Sequence, residues 1–348
     1  MLGEQNANME PPRETLPFPS VQEVPLRLIG IARLAAEGKT LSEGHEVEYR
    51  TLESRALLNR CQSPRMPFRW TINPYRGCEF GCHYCYARYT HEFMELREER
   101  DFERVIYAKQ NAAWMLRRDL RQVRAGEVIA IGTATDPYQP AERRYGVTRA
   151  ILEELAQHRG FELGIVTKSN LILRDVDVLQ RASERNRLSV LVTVTTTDAK
   201  LARLLEPRAP RPDLRLEAVR GLVEAGIEAG VMCAPILPGI TDSPRNLEGV
   251  VRAAARAGAR TVANNALFLK PCSLQVFVPF LEQNFPHLAA EYRRRYGKRA
   301  YLPDAYRREI SQLMTQLRRK YGIGAEKRPA QSVAQAHKQM AQQQLGLF

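Results

Sequence analysis

Along the middle of the chain, apolar and polar positions follow two alternating periods. Short β-prone runs occur at 69–75, 127–131, 161–167, 188–195, 227–234 and 261–268, and helical patterns fill 147–157, 175–184, 214–224 and 245–257. In the third of these helices, Leu214, Val219, Leu222 and Val223 share one face at helical spacing. Strands separated by crossover helices predict right-handed βαβ units. Six of them predict an α/β fold whose parallel sheet curls into a partial (β/α)6, TIM-like barrel.

The pattern changes at both ends. Residues 1–25 are rich in Pro, Glu and Asn without periodicity and predict a flexible leader, followed by an N-terminal extension over 26–68. The barrel is assigned to 69–286. Beyond Pro279 the strand signal stops, and 288–296 and 304–321 read as basic helices, which predicts a helical cap over 287–324. The Gln- and Ala-rich tail, 325–348, reads as a frayed helix or a disordered end.

Composition narrows the class. The 348 residues carry 52 Lys and Arg against 39 Asp and Glu, a net charge of +13, with 44% hydrophobic and 26% charged residues. These values describe a globular chain and exclude a fibrous or wholly disordered one. No run approaches the ~18 consecutive apolar residues of a membrane span, and the N-terminus lacks an export signal, so a cytoplasmic protein without a membrane partner is expected. The positive charge is compatible with a nucleic-acid partner, although much of it is Arg on solvated helix faces and no complete nucleic-acid motif accompanies it.

The strongest chemical signal is Cys78-Glu-Phe-Gly-Cys82-His-Tyr-Cys85, in the loop after the first barrel strand. Three of six cysteines within eight residues do not form a disulfide scaffold. Three soft thiolates without a fourth suit a [4Fe–4S] cluster with one iron open to another ligand. The alternative is a structural zinc site completed by His83, His91 or Cys61. These two chemistries separate two functions: an enzyme, or a non-catalytic nucleic-acid-binding protein with a structural metal.

With this spacing the chain resembles the radical S-adenosylmethionine (SAM) superfamily. Further segments resemble its branch related to spore photoproduct lyase, labelled "DNA repair photolyase-like": Asn73-Pro-Tyr-Arg-Gly-Cys78, Thr135-Asp-Pro-Tyr-Gln-Pro140, Thr167-Lys-Ser169, Leu205-Glu-Pro-Arg-Ala-Pro210 and Ala234-Pro-Ile-Leu-Pro-Gly239. The resemblance implies that Cys78, Cys82 and Cys85 hold a [4Fe–4S] cluster whose unique iron binds SAM. It also implies a reducing partner such as flavodoxin or ferredoxin. One-electron reduction of SAM then yields methionine and a 5′-deoxyadenosyl radical that takes hydrogen from a substrate.

The resemblance also suggests cofactor contacts, each with a plainer alternative. Tyr84 packs near the adenine or fills the loop interior. Thr135 and Asp136 accept from the SAM ammonium or start the turn before Pro137. Lys168 meets the SAM carboxylate or lies at the surface. Thr193 and Thr195 share a strand face that reaches the SAM ribose or carboxylate, with Val192 and Val194 opposite, or simply build the strand. Leu237 contacts adenine, or its neighbouring Pro and Gly only turn the chain. Glu206 and Arg208 pair with each other or hold substrate. Thr133 stands where the related lyase carries its catalytic cysteine, and a threonine O–H is too strong to donate a hydrogen atom. Cys233 and Cys272 are substitute donors or inert core thiols.

Overall fold

The computed structural model describes residues 28–324 apart from 39, 45, 46, 64, 65, 97 and 99. The expected leader and tail therefore fall outside the described residues.

The predicted strands form one sheet: β1 (Trp70–Ile72), β2 (Val128–Ile131), β3 (Glu162–Thr167), β4 (Arg187–Thr193), β5 (Glu228–Ile236) and β6 (Val262–Ala266). All are parallel and lie in chain order, and Leu58–Arg60 adds an antiparallel edge beside β1. Among the described residues no ladder joins β6 back to β1, so the sheet stays open as a partial barrel.

Crossover helices cover the sheet: α1 (Ala112–Asp119), α2 (Val147–Leu155), α3 (Val176–Arg185), α4 (Pro212–Glu224) and α5 (Pro244–Arg256). Pro at the first turn starts both α4 and α5, and the Ser243 hydroxyl accepts from the Asn246 amide at 3.2 Å to cap α5. Ile151, Leu152 and Leu155 of α2 join Ile165, Val190 and Val231 of the strands in the main core. Three further helices follow β6: α6 (Pro271–Asn284), α7 (Pro286–Tyr296) and α8 (Asp304–Lys320).

The structure corrects the sequence reading in four places. The run 69–75 divides at Pro74: β1 stays in the main sheet, whereas Tyr75–Arg76 crosses to a second sheet with Val105–Ala108, Val47–Thr51 and Thr40–Gly44. Proline has no N–H to continue a ladder, which makes this a natural place to leave it. The helix α6 arises despite Pro279, because Phe277, Phe280 and Leu281 bury its apolar side. In α4 the buried face carries Arg215, Ala218, Val219 and Leu222, so Leu214 and Val223 are only half-buried. Finally, β4 ends at Thr193, and Val192, Thr193, Val194 and Thr195 are all buried, so the two expected faces are both interior.

A buried charge network locks the β2–β3 side. The fully buried Glu142 accepts from Tyr75 Oη at 2.5 Å, Thr148 N at 2.8 Å and Arg174 Nη2 at 2.9 Å. Arg174 and Arg149 both pair with the buried Asp175. Glu142→Ala should therefore destabilise the fold by about 2–4 kcal/mol, because buried donors lose their acceptor. Urea unfolding measures this, and an unchanged midpoint would refute the network's role.

Candidate cofactor site

The cysteine loop begins at a glycine that no other residue can replace without displacement. Gly77 has φ of +81°, and a Cβ there would stand 2.8 Å from the Val105 carbonyl oxygen and 2.9 Å from that of Phe102. The Cys78 amide donates to Phe102 O at 2.9 Å, and Gly77 O accepts from Thr135 Oγ1 at 2.6 Å and Gln139 Nε2 at 3.1 Å. Glu79, also buried, accepts from Tyr49 Oη and the Ala141 amide at 2.8 Å each. From the far side, Leu205 O accepts from His83 N, Phe80 O from Arg208 N, and Cys85 O from Ser273 Oγ. The loop is thus gripped by the second sheet, the β2 turn, the 205–208 segment and α6.

All three loop thiols are free, with Cys78 and Cys82 buried and Cys85 half-buried. Burial pushes each thiol up, Cys82 to about 12, while Lys168 pulls back on Cys82 and Cys85. Such thiols ionise only when a strong positive centre is supplied. Among the described residues no three His, Cys, Asp or Glu side chains converge tightly enough to hold a single metal ion. Zinc requires that convergence, whereas the thiolates around an iron–sulfur cluster each bind a different iron. Two of the three proposed zinc completions make other contacts. His83 stacks on Phe280 with centroids 4.2 Å apart, and His91 Nε2 lies 3.0 Å from Val105 O. Burial pushes both imidazoles down to about 4. Three thiols on one short loop are a donor set that suits an iron–sulfur cluster.

Around this loop the structure gathers several of the expected residues. Lys168 is no surface lysine: its Nζ lies 5.8 Å from the Tyr84 ring centroid. Burial alone would lower its ammonium, but Cys82 and Glu206 hold it above the usual lysine range. Tyr84 is buried and its hydroxyl donates to Glu206. Thr195 Oγ1 also reaches Glu206, at 3.3 Å, and Leu237 shares an apolar cluster with Cys78, Cys82 and Tyr84.

Other residues serve the scaffold. Asp136 Oδ1 accepts from Tyr138 N and Thr167 Oγ1, and Oδ2 from Lys168 N, so its carboxylate ties the β2 turn to the end of β3. The Thr135 hydroxyl donates to Gly77 O and accepts from Gln139 Nε2. Thr193 contributes its carbonyl to Arg215 Nη1 at 3.1 Å. Glu206 pairs with the buried Arg215 of α4 and not with Arg208, which is exposed and lies over Gly81. Sequence reasoning missed Arg215, although a lone arginine among apolar positions of an amphipathic helix was a legible signal. Cys233 is fully buried in the main core, and burial pushes it up to about 12; Cys272 is half-buried beside Ser273.

A sequence model of the radical SAM superfamily matches residues 72–247, just over half of the chain. The chain belongs to the radical SAM superfamily. It is 36% identical over 278 residues to an uncharacterised protein of Mycobacterium tuberculosis, covering 79% of this chain and 82% of that one. It is 26% identical over 244 residues to an uncharacterised protein of Methanocaldococcus jannaschii, covering 69% and 85%. Among solved structures, a spore photoproduct lyase mutant with bound AdoMet (SAM) and dinucleoside spore photoproduct matches with TM-score 0.59 and 16% identity, over 79% of this chain and 80% of that one. At that identity the likeness shows a shared fold. For a radical SAM protein an iron–sulfur cluster and SAM are the implied cofactors, which agrees with the donor set of the loop. Among the described residues no helix is long and apolar enough to cross a membrane.

The Glu206–Arg215 pair generates a prediction. Arg215 and Lys168 hold the Glu206 carboxyl below its usual range although burial opposes them. Its folded pKa is depressed, so its stabilisation is present at neutral pH and lost as pH falls through the folded value. Glu206→Gln should therefore lose less stability than the parent on acidification. Glu206→Ala should cost about 3–5 kcal/mol by stranding Arg215, with much of this recovered when Arg215→Met is added. Thermal melts across pH test both statements, and additive costs in the double variant would refute the coupling.

Proposed function

We propose that this protein is a radical SAM enzyme in which Cys78, Cys82 and Cys85 hold a [4Fe–4S] cluster and the ends of β3 to β5 receive SAM. The observation that carries this reading is the placement of three free thiols, two buried and one half-buried, on one loop beside Lys168, Tyr84 and Leu237 at one end of a parallel sheet. A cluster held by Cys78, Cys82 and Cys85 would supply the one-electron reduction of SAM, with the electron from a flavodoxin- or ferredoxin-like donor, for cleavage to methionine and a 5′-deoxyadenosyl radical that would take hydrogen from substrate.

The chain's own residues supply position and shielding. Lys168, held protonated beside Cys82, offers a charge-assisted bond to the SAM carboxylate. Leu237 and the Tyr84 ring give the apolar surface that an adenine requires. Tyr84 and Thr195 share the acceptor Glu206, which fixes their orientation. Thr135 and Asp136 act in our reading by setting the height of the loop relative to β3, and Thr193 by anchoring Arg215. Thr133 hydrogen-bonds Asn73 and offers no weak X–H bond, so the reading stops short of thymine photoproduct repair.

Anaerobic reconstitution with iron and sulfide should give about four irons per chain. Replacing Cys78, Cys82 and Cys85 together by Ala should abolish incorporation, and Cys61→Ala should not. Iron and sulfide analysis decides, and a cluster retained in the triple variant would refute the assignment. The reduced parent should also release 5′-deoxyadenosine from SAM.

Lys168→Ala should weaken SAM binding by about ten- to a hundredfold, the loss of one charge-assisted bond. Calorimetry showing unchanged affinity would remove Lys168 from the site.

A further inference from the structure

A group of cations gathers beside the edge strand of the second sheet. Tyr75–Arg76 pairs antiparallel with Val105–Ala108, with Arg76 opposite Tyr107, and the ladder continues one step where Lys109 N donates to Pro74 O at 3.2 Å. By strand alternation Arg76 and Lys109 project from the same face. Lys109 is only 3% exposed, and among the described residues no hydrogen bond or ion pair reaches its ammonium. Arg76 Nε is buried without an acceptor, and Nη1 reaches only Thr90 O at 3.4 Å. From the segment after β6, Lys270 places its Nζ 3.4 Å from the ring centroid of Tyr89. Tyr89 in turn neighbours Arg76, Cys272 and Cys61. The exposed Glu92 turns toward the Cys272 thiol.

Residues from the segments after β1 and after β6 therefore flank Tyr89, and with Lys109 beside Arg76 the group is predominantly cationic. Burial and the Arg76 guanidinium push the Lys109 ammonium down to about 7, and no acid offsets them. A largely desolvated like-charge pair is unfavourable and is relieved once an anion is bound. Arg76, Tyr89 and Lys270 are each half-buried, so the place is open to solvent. Two to three positive charges match a dianion better than a carboxylate, and guanidinium and ammonium donors suit phosphate oxygens. Lys168 is committed to Cys82 and Glu206 and belongs to the other site.

We propose that Arg76, Lys109 and Lys270 form a binding site for a dianionic phosphate group around Tyr89 beside the edge strand of the second sheet, and that the enzyme's substrate carries this phosphate as a monoester. The second half rests on the radical SAM reading above; the first does not.

The test uses the full chain reconstituted with iron and sulfide, without SAM or reductant, in buffers of matched ionic strength containing inorganic phosphate, acetate or phenyl phosphate. Melting temperature and calorimetry are the readouts. The parent should be stabilised by phosphate and not by acetate, and phenyl phosphate should bind at least as tightly as inorganic phosphate. Lys270→Gln, at a half-buried position, should weaken phosphate binding by about tenfold. Lys109→Met should abolish the phosphate response and should melt higher than the parent in phosphate-free buffer, because it removes an uncompensated buried cation. A merely structural Lys109 would give the opposite shift. Equal stabilisation by acetate, undiminished phosphate binding in both variants, or a lower melting temperature for Lys109→Met would overturn the site. Inorganic phosphate binding more tightly than the ester would overturn the substrate half alone. Failure to release 5′-deoxyadenosine would overturn the enzymatic reading while leaving a phosphate response intact.

Discussion

The burial of one carboxylate organises the cofactor site. Glu206 lies in the interior and is kept ionised by Arg215 and Lys168 while it accepts from Tyr84 and Thr195. These partners come from the cysteine loop, the segment after β4, α4 and the end of β3. A buried charge tolerates little displacement of its partners, so one ion pair sets the distance between the loop and three separate elements of the barrel.

A second constraint acts from the other side. Gln139 and Thr135 hold Gly77, and Glu79 holds Tyr49 and the start of the helix at Ala141. The cysteine loop is therefore clamped between the main sheet and the small second sheet before any cofactor arrives. This preorganisation suits a cluster, because the loop that carries the three thiols is already held by its neighbours. Asp136 and Thr135 are buried polar residues whose hydrogen bonds tie the loop and the β2 turn to the scaffold.

Openness of the barrel gives the remaining surface its character. The sheet stays open between β6 and Leu58–Arg60, and Tyr89 lies between Lys270, from the segment after β6, and Arg76, from the segment after β1. The two sites differ in kind. Around Glu206 the charges balance internally, whereas around Tyr89 they do not, and the imbalance identifies a place for an external anion.

Much of the architecture was legible in the residues. Six β-prone runs with crossover helices specify a parallel sheet, because both periodicities and the handedness of the connection are local properties of the chain. The cysteine spacing specified the ligand chemistry, since three thiolates on one short loop are a statement about sequence alone. What tertiary structure decided was pairing at a distance. Glu206 meets Arg215, nine positions away, and not Arg208, two positions away, because α4 turns Arg215 inward while Arg208 stays at the surface. The crossing of Tyr75–Arg76 to a second sheet and the meeting of Lys109 with Arg76 likewise depend on which strands become neighbours. A sequence pattern assigns each residue to an element and a face. Only packing decides which charges share an interior, because that depends on the three-dimensional path by which the elements return.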